Sequence, residues 1–345
     1  MIVRSDARWA RAALMITLMT APACLRHSGI MPGGGASQPQ ATQSPAGDNK
    51  PVASPDTSWH EVFQQQIEGA YNPLTDDMRI RGLQNRSKPQ PQDIAIRLEL
   101  AEAYEAYRFY DDAWEQYSSA LQLIRSAPET TPPAAEKAAV GLGRCARASG
   151  RAEQAVPMLE AALKDRPSAG SWDELGLLYD SVGNHAAGEN AFREAVARDP
   201  AANRLHNNLG YNLLLQNKTE AAESEFRKAL ELDPKSATSH NNLGVVLARR
   251  GDLRRALEQF QAAAEPAAAH NNLAVVLFEM GRYEQSRAEL VKALTVRPYF
   301  APALANFRLV QERIRERAGT VESAPRNEQQ EKQPGAPKKP PQEKK

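Results

Sequence analysis

Small and large apolar residues are spaced among polar ones along the middle of the chain in a pattern that recurs at a nearly constant interval. Each copy has a Leu followed by Gly or Ala, a small residue twelve positions after that pair, a large apolar residue four further on, and an Ala three beyond that. Such self-similarity is typical of repeat proteins, in which no single repeat can bury its apolar face alone. The leading residues are Leu142, Leu175, Leu209, Leu243 and Leu273, at spacings of 33, 34, 34 and 30, and the large apolar residues are Leu159, Phe192, Phe226, Phe260 and Leu290.

Each copy predicts two antiparallel α-helices joined by a short turn. Glycines fall where the first helix would end, a position at which a left-handed backbone is least costly for Gly. Prolines close most copies and stop the second helix, because Pro cannot continue a helix. The glycines are Gly150, Gly183, Gly251 and Gly281, and the prolines are Pro167, Pro200, Pro234 and Pro298.

Three irregularities interrupt the pattern. An earlier copy runs through Leu100 and Tyr117, and an irregular insert at 128–135 follows it. Pro157 falls in the second helix of the second copy, which must therefore begin late or kink. The fifth copy is four residues short; this is about one helical turn, so its apolar face keeps its phase. The predicted repeats are residues 94–127, 136–168, 169–202, 203–236, 237–266 and 267–300.

These positions resemble those of the tetratricopeptide repeat (TPR), and the resemblance covers about residues 94–300. It implies an all-α fold, a right-handed superhelical solenoid of about six helix-turn-helix repeats with capping helices at its ends. Ser58-x-x-Glu61 is a capping box that predicts the start of the N-terminal capping helix. The predicted segments outside the repeats are a capping helix and connector at 58–92, a C-terminal capping helix at 301–318 and, from its Pro, Gln, Glu and Lys content, a disordered tail at 319–345.

The N-terminal residues predict export. Arginines precede a short apolar run, and small residues lead to Cys24, as in a secretory signal peptide. The segment also resembles a bacterial lipoprotein box, which implies a lipid anchor on Cys24; simple cleavage by signal peptidase is the alternative. We expect a signal peptide at 1–23 and a flexible tether at 24–57. The expected location is the cell envelope, lipid-anchored and facing the periplasm, with a soluble periplasmic or secreted protein as the alternative.

A row of asparagines follows the repeat period. TPR proteins bind peptides in a concave groove lined by the first helices, and the resemblance places Asn at repeat positions 5 and 6 on that face. A carboxamide both donates and accepts hydrogen bonds, so the row could bind an extended backbone, as in the similar asparagine ladder of O-linked N-acetylglucosamine transferases; support of helix packing alone is the alternative. The predicted peptide-binding residues are Asn207, Asn208, Asn241, Asn242, Asn271, Asn272, Asn306 and Tyr211, beside an apolar strip formed by Tyr211, Leu214, Val245 and Phe278.

Other groups on the first helices favour simpler interpretations. Histidines recur at position 4, about one repeat apart, and we expect them to be aromatic substitutes at a helix interface rather than metal ligands. Charged residues on the first two repeats are expected to be solvated, with a second docking patch as the alternative. Cys145 is expected to be a small core residue. The histidines are His206, His240 and His270, and the charged residues are Glu99, Glu102, Glu105, Arg144 and Arg147.

Composition and motifs exclude several classes of function. The chain has 43 basic and 42 acidic residues, a net charge of +1, and so lacks the excess of basic residues that binding to nucleic acid requires. The sequence has no Gly-rich phosphate loop, His-Glu-x-x-His motif or Gly-x-Ser-x-Gly motif. We therefore expect no catalysis, cofactor, metal or small-molecule substrate.

The remaining hypothesis is a scaffold or adaptor of the bacterial cell envelope that binds extended protein segments. The His-Asn-Asn-Leu runs that begin at His206, His240 and His270, behind a lipoprotein-like leader, resemble the TPR lipoproteins of tight-adherence (Flp-type) pilus assembly. This resemblance implies a role in building a pilus or secretion machine. The alternative is a structural protein that self-associates or contacts cell wall through its convex face.

Overall fold

The computed structural model describes residues 72–127 and 131–322, where every regular element is an α-helix. The predicted signal peptide, Cys24, tether and capping box lie outside the described residues, as does the tail beyond residue 322. The helices are α1 Pro73–Asp76, α2 Met78–Ser87, α3 Ile94–Ala106, α4 Tyr110–Ser126, α5 Pro132–Ser149, α6 Ala152–Asp165, α7 Ala169–Ser181, α8 His185–Arg198, α9 Asn203–Leu215, α10 Thr219–Leu232, α11 Ala237–Arg249, α12 Leu253–Ala263, α13 Pro266–Glu279, α14 Tyr283–Val296 and α15 Ala301–Glu322.

The helices pack as consecutive pairs, which confirms the all-α solenoid class. The described chain divides after Val246, within α11, into two compact bodies. In the N-terminal body, α3/α4, α5/α6, α7/α8 and α9/α10 form hairpins, and the first helices α3, α5, α7 and α9 pack on one another in chain order. In the C-terminal body, α12 packs on α13, α13 pairs with α14, and α15 packs on both helices of that pair.

One large side chain on the second helix of each repeat is wholly buried. The close approach of a small residue on the first helix makes this possible: a Cβ added at Gly176 would lie 2.6 Å from a ring carbon of Phe192, and one at Gly210 would lie 2.8 Å from a ring carbon of Phe226. Burial of such a side chain stabilises the fold by about 1.5–3 kcal/mol. The buried residues are Tyr117, Leu159, Phe192, Phe226, Phe260 and Leu290, each 0% exposed.

The turn between the two helices of a repeat uses a left-handed residue at the same position in all six repeats. Four of these residues are the predicted glycines, with φ between 72° and 90°. The other two are Arg108, with φ of 63°, and Asn217, with φ of 59°. No atom outside the immediate chain lies within 4 Å of a Cβ built at any of the four glycines, so the requirement for Gly there comes from the backbone conformation and not from crowding.

The structure shows how the three irregular parts of the repeat pattern are built. Helix α5 begins at Pro132, inside the predicted insert, because Pro is suited to the first turn of a helix. Helix α6 starts at Ala152, at the same repeat position as the other second helices, and continues through Pro157, so it does not begin late. The fifth repeat loses its length in its second helix, since α12 has 11 residues against 14 in α10.

A helix packs at each end of the described repeats, and the bounds of these two helices add detail to the prediction. Helix α2, which lies in the segment predicted as capping helix and connector, is capped by Asp77 and buries Ile80 and Leu83, and it packs on α3. Helix α15 buries Val310 and continues to Glu322, whereas the prediction ended it at residue 318. The helix thus extends four residues beyond the predicted boundary.

Replacement of Arg108 by Gly should stabilise the protein. A left-handed conformation costs a residue with a Cβ about 1–2 kcal/mol, and part of this gain is offset by the greater entropy of Gly in the unfolded chain. We expect Arg108→Gly to raise the free energy of unfolding in urea by about 0.5–1 kcal/mol. Asn217→Gly should gain less, because Asn tolerates this conformation. A destabilised Arg108→Gly variant would contradict the turn geometry.

Candidate functional site: the first-helix face

The predicted asparagines separate into a buried and a partly exposed group. They lie on α9, α11, α13 and α15, at the positions that the repeat register gives for the surface of the first helices, which we call the first-helix face. Asn207, Asn242 and Asn271 are buried, and Asn271 is only 1% exposed. Asn208, Asn241, Asn272 and Asn306 are partly exposed.

Asparagines of neighbouring repeats bond to each other. In the N-terminal body, Nδ2 of Asn242 donates to Oδ1 of Asn207 at 2.9 Å, and in the C-terminal body Nδ2 of Asn306 donates to Oδ1 of Asn271 at 2.9 Å. Position 6 of one repeat thus donates to position 5 of the repeat before it, in both bodies. These bonds support a role in helix packing for the asparagines that make them, and peptide binding stays a prediction for the whole set.

Asp173 takes the place of Asn at position 5 of the third repeat. Asp173 is 1% exposed, and its carboxylate accepts a hydrogen bond from Nδ2 of Asn208 at 2.9 Å. It also forms an ion pair with Arg204, at the start of α9. The inter-repeat ladder of the N-terminal body therefore begins at a carboxylate, and we define this ladder as Asp173, Asn207, Asn208 and Asn242.

The apolar strip differs from the prediction: Leu214 is buried, Val245 and Phe278 are partly exposed, and Leu215 is added to it. Tyr211 is 43% exposed, and Leu215, one helical turn further along α9, is 39% exposed. Leu214 is 6% exposed and belongs to the core, and Phe278 packs on Tyr283 with a ring-centroid distance of 5.3 Å. The i, i+4 spacing from Tyr211 was the sequence signal that could have identified Leu215.

The charged residues of the first repeats pair with one another. Arg144 donates to both carboxylate oxygens of Glu105, at 2.8 and 2.9 Å, and Arg147 donates to Glu174 at 2.8 Å. Burial raises the pKa of Glu174, against the opposing effect of Arg147. Lys137 pairs with Glu102 at 2.7 Å. These pairs favour a structural interpretation of the charges over a second docking patch.

The recurring histidines connect helices. His206 is buried, with Nδ1 2.7 Å from a carboxylate oxygen of Glu225 on α10 and Nε2 3.0 Å from the carbonyl oxygen of Pro200. His270 faces Glu289 on α14 at 2.7 Å in the same way. These contacts place both residues at helix interfaces, as expected. Within 72–127 and 131–322, no three His, Cys, Asp or Glu side chains cluster in a way that could hold a metal ion.

Cys145 lies in the core of the N-terminal body. It is a free thiol that is 0% exposed, and burial raises its pKa to about 12. A thiol of this kind is almost entirely un-ionised at neutral pH and is a poor nucleophile.

A buried polar network between the third and fourth repeats was not predicted. Asn212, 0% exposed, donates to Oδ1 of Asp180 at 2.6 Å and to the carbonyl oxygen of His185 at 3.0 Å. Burial raises the pKa of Asp180, against hydrogen bonds from His185 and Asn212. A Cβ at Gly188 would lie 2.9 Å from Nδ2 of Asn212. The sequence signals were Gly188 in place of the usual Ala and Asn212 at an apolar repeat position.

None of the helices in the described part of the chain combines the length and the apolar character needed to span a bilayer.

One model of the tetratricopeptide repeat matches residues 174–237, 210–272 and 241–302, and a second tetratricopeptide-repeat model matches residues 137–161. These matches show that residues 137–161 and 174–302 are similar to tetratricopeptide repeats. Repeats of this family generally mediate protein–protein interactions and form scaffolds.

No curated protein matches the sequence. Among solved structures, the APC/C hetero-tetramer Cut9-Hcn1 is 17% identical with a TM-score of 0.48, over 72% of this chain and 51% of that chain. The present chain therefore spans about half the length of that protein. YrrB, described as a TPR protein with an unusual peptide-binding site, is 22% identical with a TM-score of 0.40, over 53% of this chain and 95% of that chain. MamA from Desulfovibrio magneticus RS-1 is 20% identical with a TM-score of 0.42, over 50% of this chain and 94% of that chain.

Removal of the Asn207 side chain should destabilise the N-terminal body. Asn207→Ala removes the acceptor of Asn242 and leaves a buried donor unpaired, so we expect a loss of about 1–3 kcal/mol in the free energy of unfolding in urea. Asn203→Ala, on the same helix, removes a longer, more exposed bond to Asp233 and should cost clearly less. Equal costs for the two variants would contradict a structural role of the ladder.

Proposed function

We propose that this protein is a non-catalytic scaffold that binds extended segments of partner proteins on its first-helix face. The observation that carries the proposal is the exposed pair Tyr211 and Leu215 beside the partly exposed Asn208. An exposed aromatic residue next to amide groups offers both the apolar anchor and the hydrogen bonds that binding sites for extended chains use. The ordinary role of TPR repeats in protein interaction supports the same conclusion.

The test is crosslinking and affinity capture from membranes with a double variant, Tyr211→Ser with Leu215→Ser. Loss of an aromatic anchor costs about 2 kcal/mol or more, or roughly thirtyfold in affinity, so partners captured by the wild type should be lost. Leu232→Ser is the matched control, because Leu232 is 44% exposed on the second helix of the same repeat and its loss should leave capture unchanged. If the double variant of unchanged helicity still captured the same partners, the proposal would be wrong.

We further propose that the protein acts in the bacterial cell envelope, held by a lipid on Cys24. The support is the N-terminal sequence, in which a basic stretch, a short apolar run and small residues precede that cysteine. The resemblance to TPR lipoproteins of tight-adherence pilus assembly makes a pilus or secretion machine the proposed setting. Identification of the captured partners tests that setting.

A Cys24→Ser variant tests the anchor. We expect the wild-type protein to incorporate labelled palmitate and to remain with membranes, whereas the variant should be unlabelled and released into the soluble fraction of the envelope. An unlabelled, soluble wild-type protein would contradict the anchor and favour simple secretion.

A further inference from the structure

The outer face of α14, the second helix of the sixth repeat, differs from that of the earlier second helices. Ala288, Val291 and Thr295 follow one another on it at helical spacing, and all three are exposed. The sixth repeat therefore has no charged side chain at these three repeat positions. Each of the first five repeats has at least one there: Glu115; Glu160 and Lys164; Arg193; Arg227 and Glu231; and Glu258.

The uncharged surface continues past the end of α14. Val291 is 49% exposed, and Tyr299, in the loop that leads to α15, is 91% exposed. No other large apolar side chain within 72–127 and 131–322 is as exposed as Tyr299. Exposed apolar side chains that lie together in this way mark contact surfaces. We call Ala288, Val291, Thr295 and Tyr299 the α14 stripe.

The basic residues near the stripe are each paired with a carboxylate. The stripe therefore has no excess of positive charge at its edges, and such an excess is what attracts a protein to anionic lipid. This balance favours a protein surface as the partner of the stripe. The pairs are Arg287 with Glu284 at 2.7 Å, Lys292 with Glu289 at 2.7 Å, and Arg297 with Glu265.

The two ends of the stripe complement each other when two copies of α14 run antiparallel. Glu284 and Arg287 lie seven and four positions before Val291, and Tyr299 lies eight positions after it. A two-fold axis at Val291 places the charged end of one helix against the aromatic end of the other, where a guanidinium can lie on the ring of Tyr299. A parallel pair would instead place Arg287 against its own copy. The small Ala288 beside Val291 permits the two helices to approach closely.

We infer that the α14 stripe binds a second copy of this chain, and that the two copies pair about a two-fold axis at Val291. Such a contact uses the same surface on both copies and closes as a dimer. Helix α14 has 14 residues, and a pair of helices of this length covers less than the roughly 800 Å² per partner of a standard interface, so we expect a Kd of about 10–100 µM. The pairing goes beyond the proposed function and uses none of the residues assigned to it.

Sedimentation equilibrium of the full chain tests the pairing, in a Cys24→Ser background that excludes association through a lipid. We expect this parent protein to dimerise. Val291→Glu places two like charges at the axis and should raise the Kd at least about thirtyfold. Gln261→Glu is the matched control, because Gln261 is exposed at the same repeat position on α12, and it should leave the Kd unchanged. Circular dichroism verifies the fold of both variants.

Disulfide formation in the same background locates the axis. Two cysteines are bridged only when their Cα atoms lie within about 7 Å, so Val291→Cys should form a disulfide between copies under mild oxidation. Tyr299→Cys should not, because the antiparallel pair separates its two copies by more than about 20 Å. Gln261→Cys is the control for random collision. Cys145 does not interfere, because it is 0% exposed.

The outcomes distinguish the second copy from other partners. A parent protein that stays monomeric at about 200 µM would overturn the inference; if Val291→Glu then lost captured partners, the stripe would bind a different protein. A dimer that Val291→Glu leaves intact, or equal crosslinking of Gln261→Cys and Val291→Cys, would also overturn it. The Tyr211→Ser, Leu215→Ser variant should dimerise as the parent does, so failure of the proposed function and failure of the pairing remain distinguishable.

Discussion

The contact between a small residue on the first helix and a large side chain on the second sets the geometry on which the other features of each repeat depend. At Gly176 and Gly210 the rings of Phe192 and Phe226 lie where a Cβ would otherwise be, so the two helices approach closely and in one rotational setting. This setting decides which side chains of the first helix face the next repeat. Asn207 and Asn208 precede Gly210 by three and two positions, so their reach toward neighbouring repeats follows from it.

Polar contacts between repeats add specificity to the apolar packing. Two apolar surfaces can slide against each other at little cost. A buried amide without a hydrogen-bond partner, in contrast, destabilises the folded state. Asn207 accepts a hydrogen bond from Asn242, and Asn212 donates one to Asp180; each bond joins two consecutive repeats. A shift of one repeat against the next would leave several of these groups unpaired. The ladder and the network around Asn212 therefore select one register of stacking, which also holds the first-helix face in a single arrangement.

The period of the chain predicted the helix pairs, the buried large residues and the turn glycines, because these depend on contacts within one repeat. It did not predict that Arg108 and Asn217 adopt the same left-handed turn, since neither residue prefers that conformation as Gly does. The asparagine positions were predicted, but which amides are buried was not, because burial depends on the residue that faces them from the next repeat. Asp173 was overlooked for the same reason: its role is visible only beside Asn208.

Packing and recognition are usually treated as competing explanations for an asparagine in such a ladder, but an amide has two ends. In this protein the N–H end of Asn242 bonds within the stack, whereas its carbonyl oxygen accepts from no residue of the described chain. One side chain can therefore hold two repeats together through its N–H end and keep its oxygen free of that bond. Replacement of the whole ladder by Ala would remove both roles at once, so a loss of binding would not distinguish them.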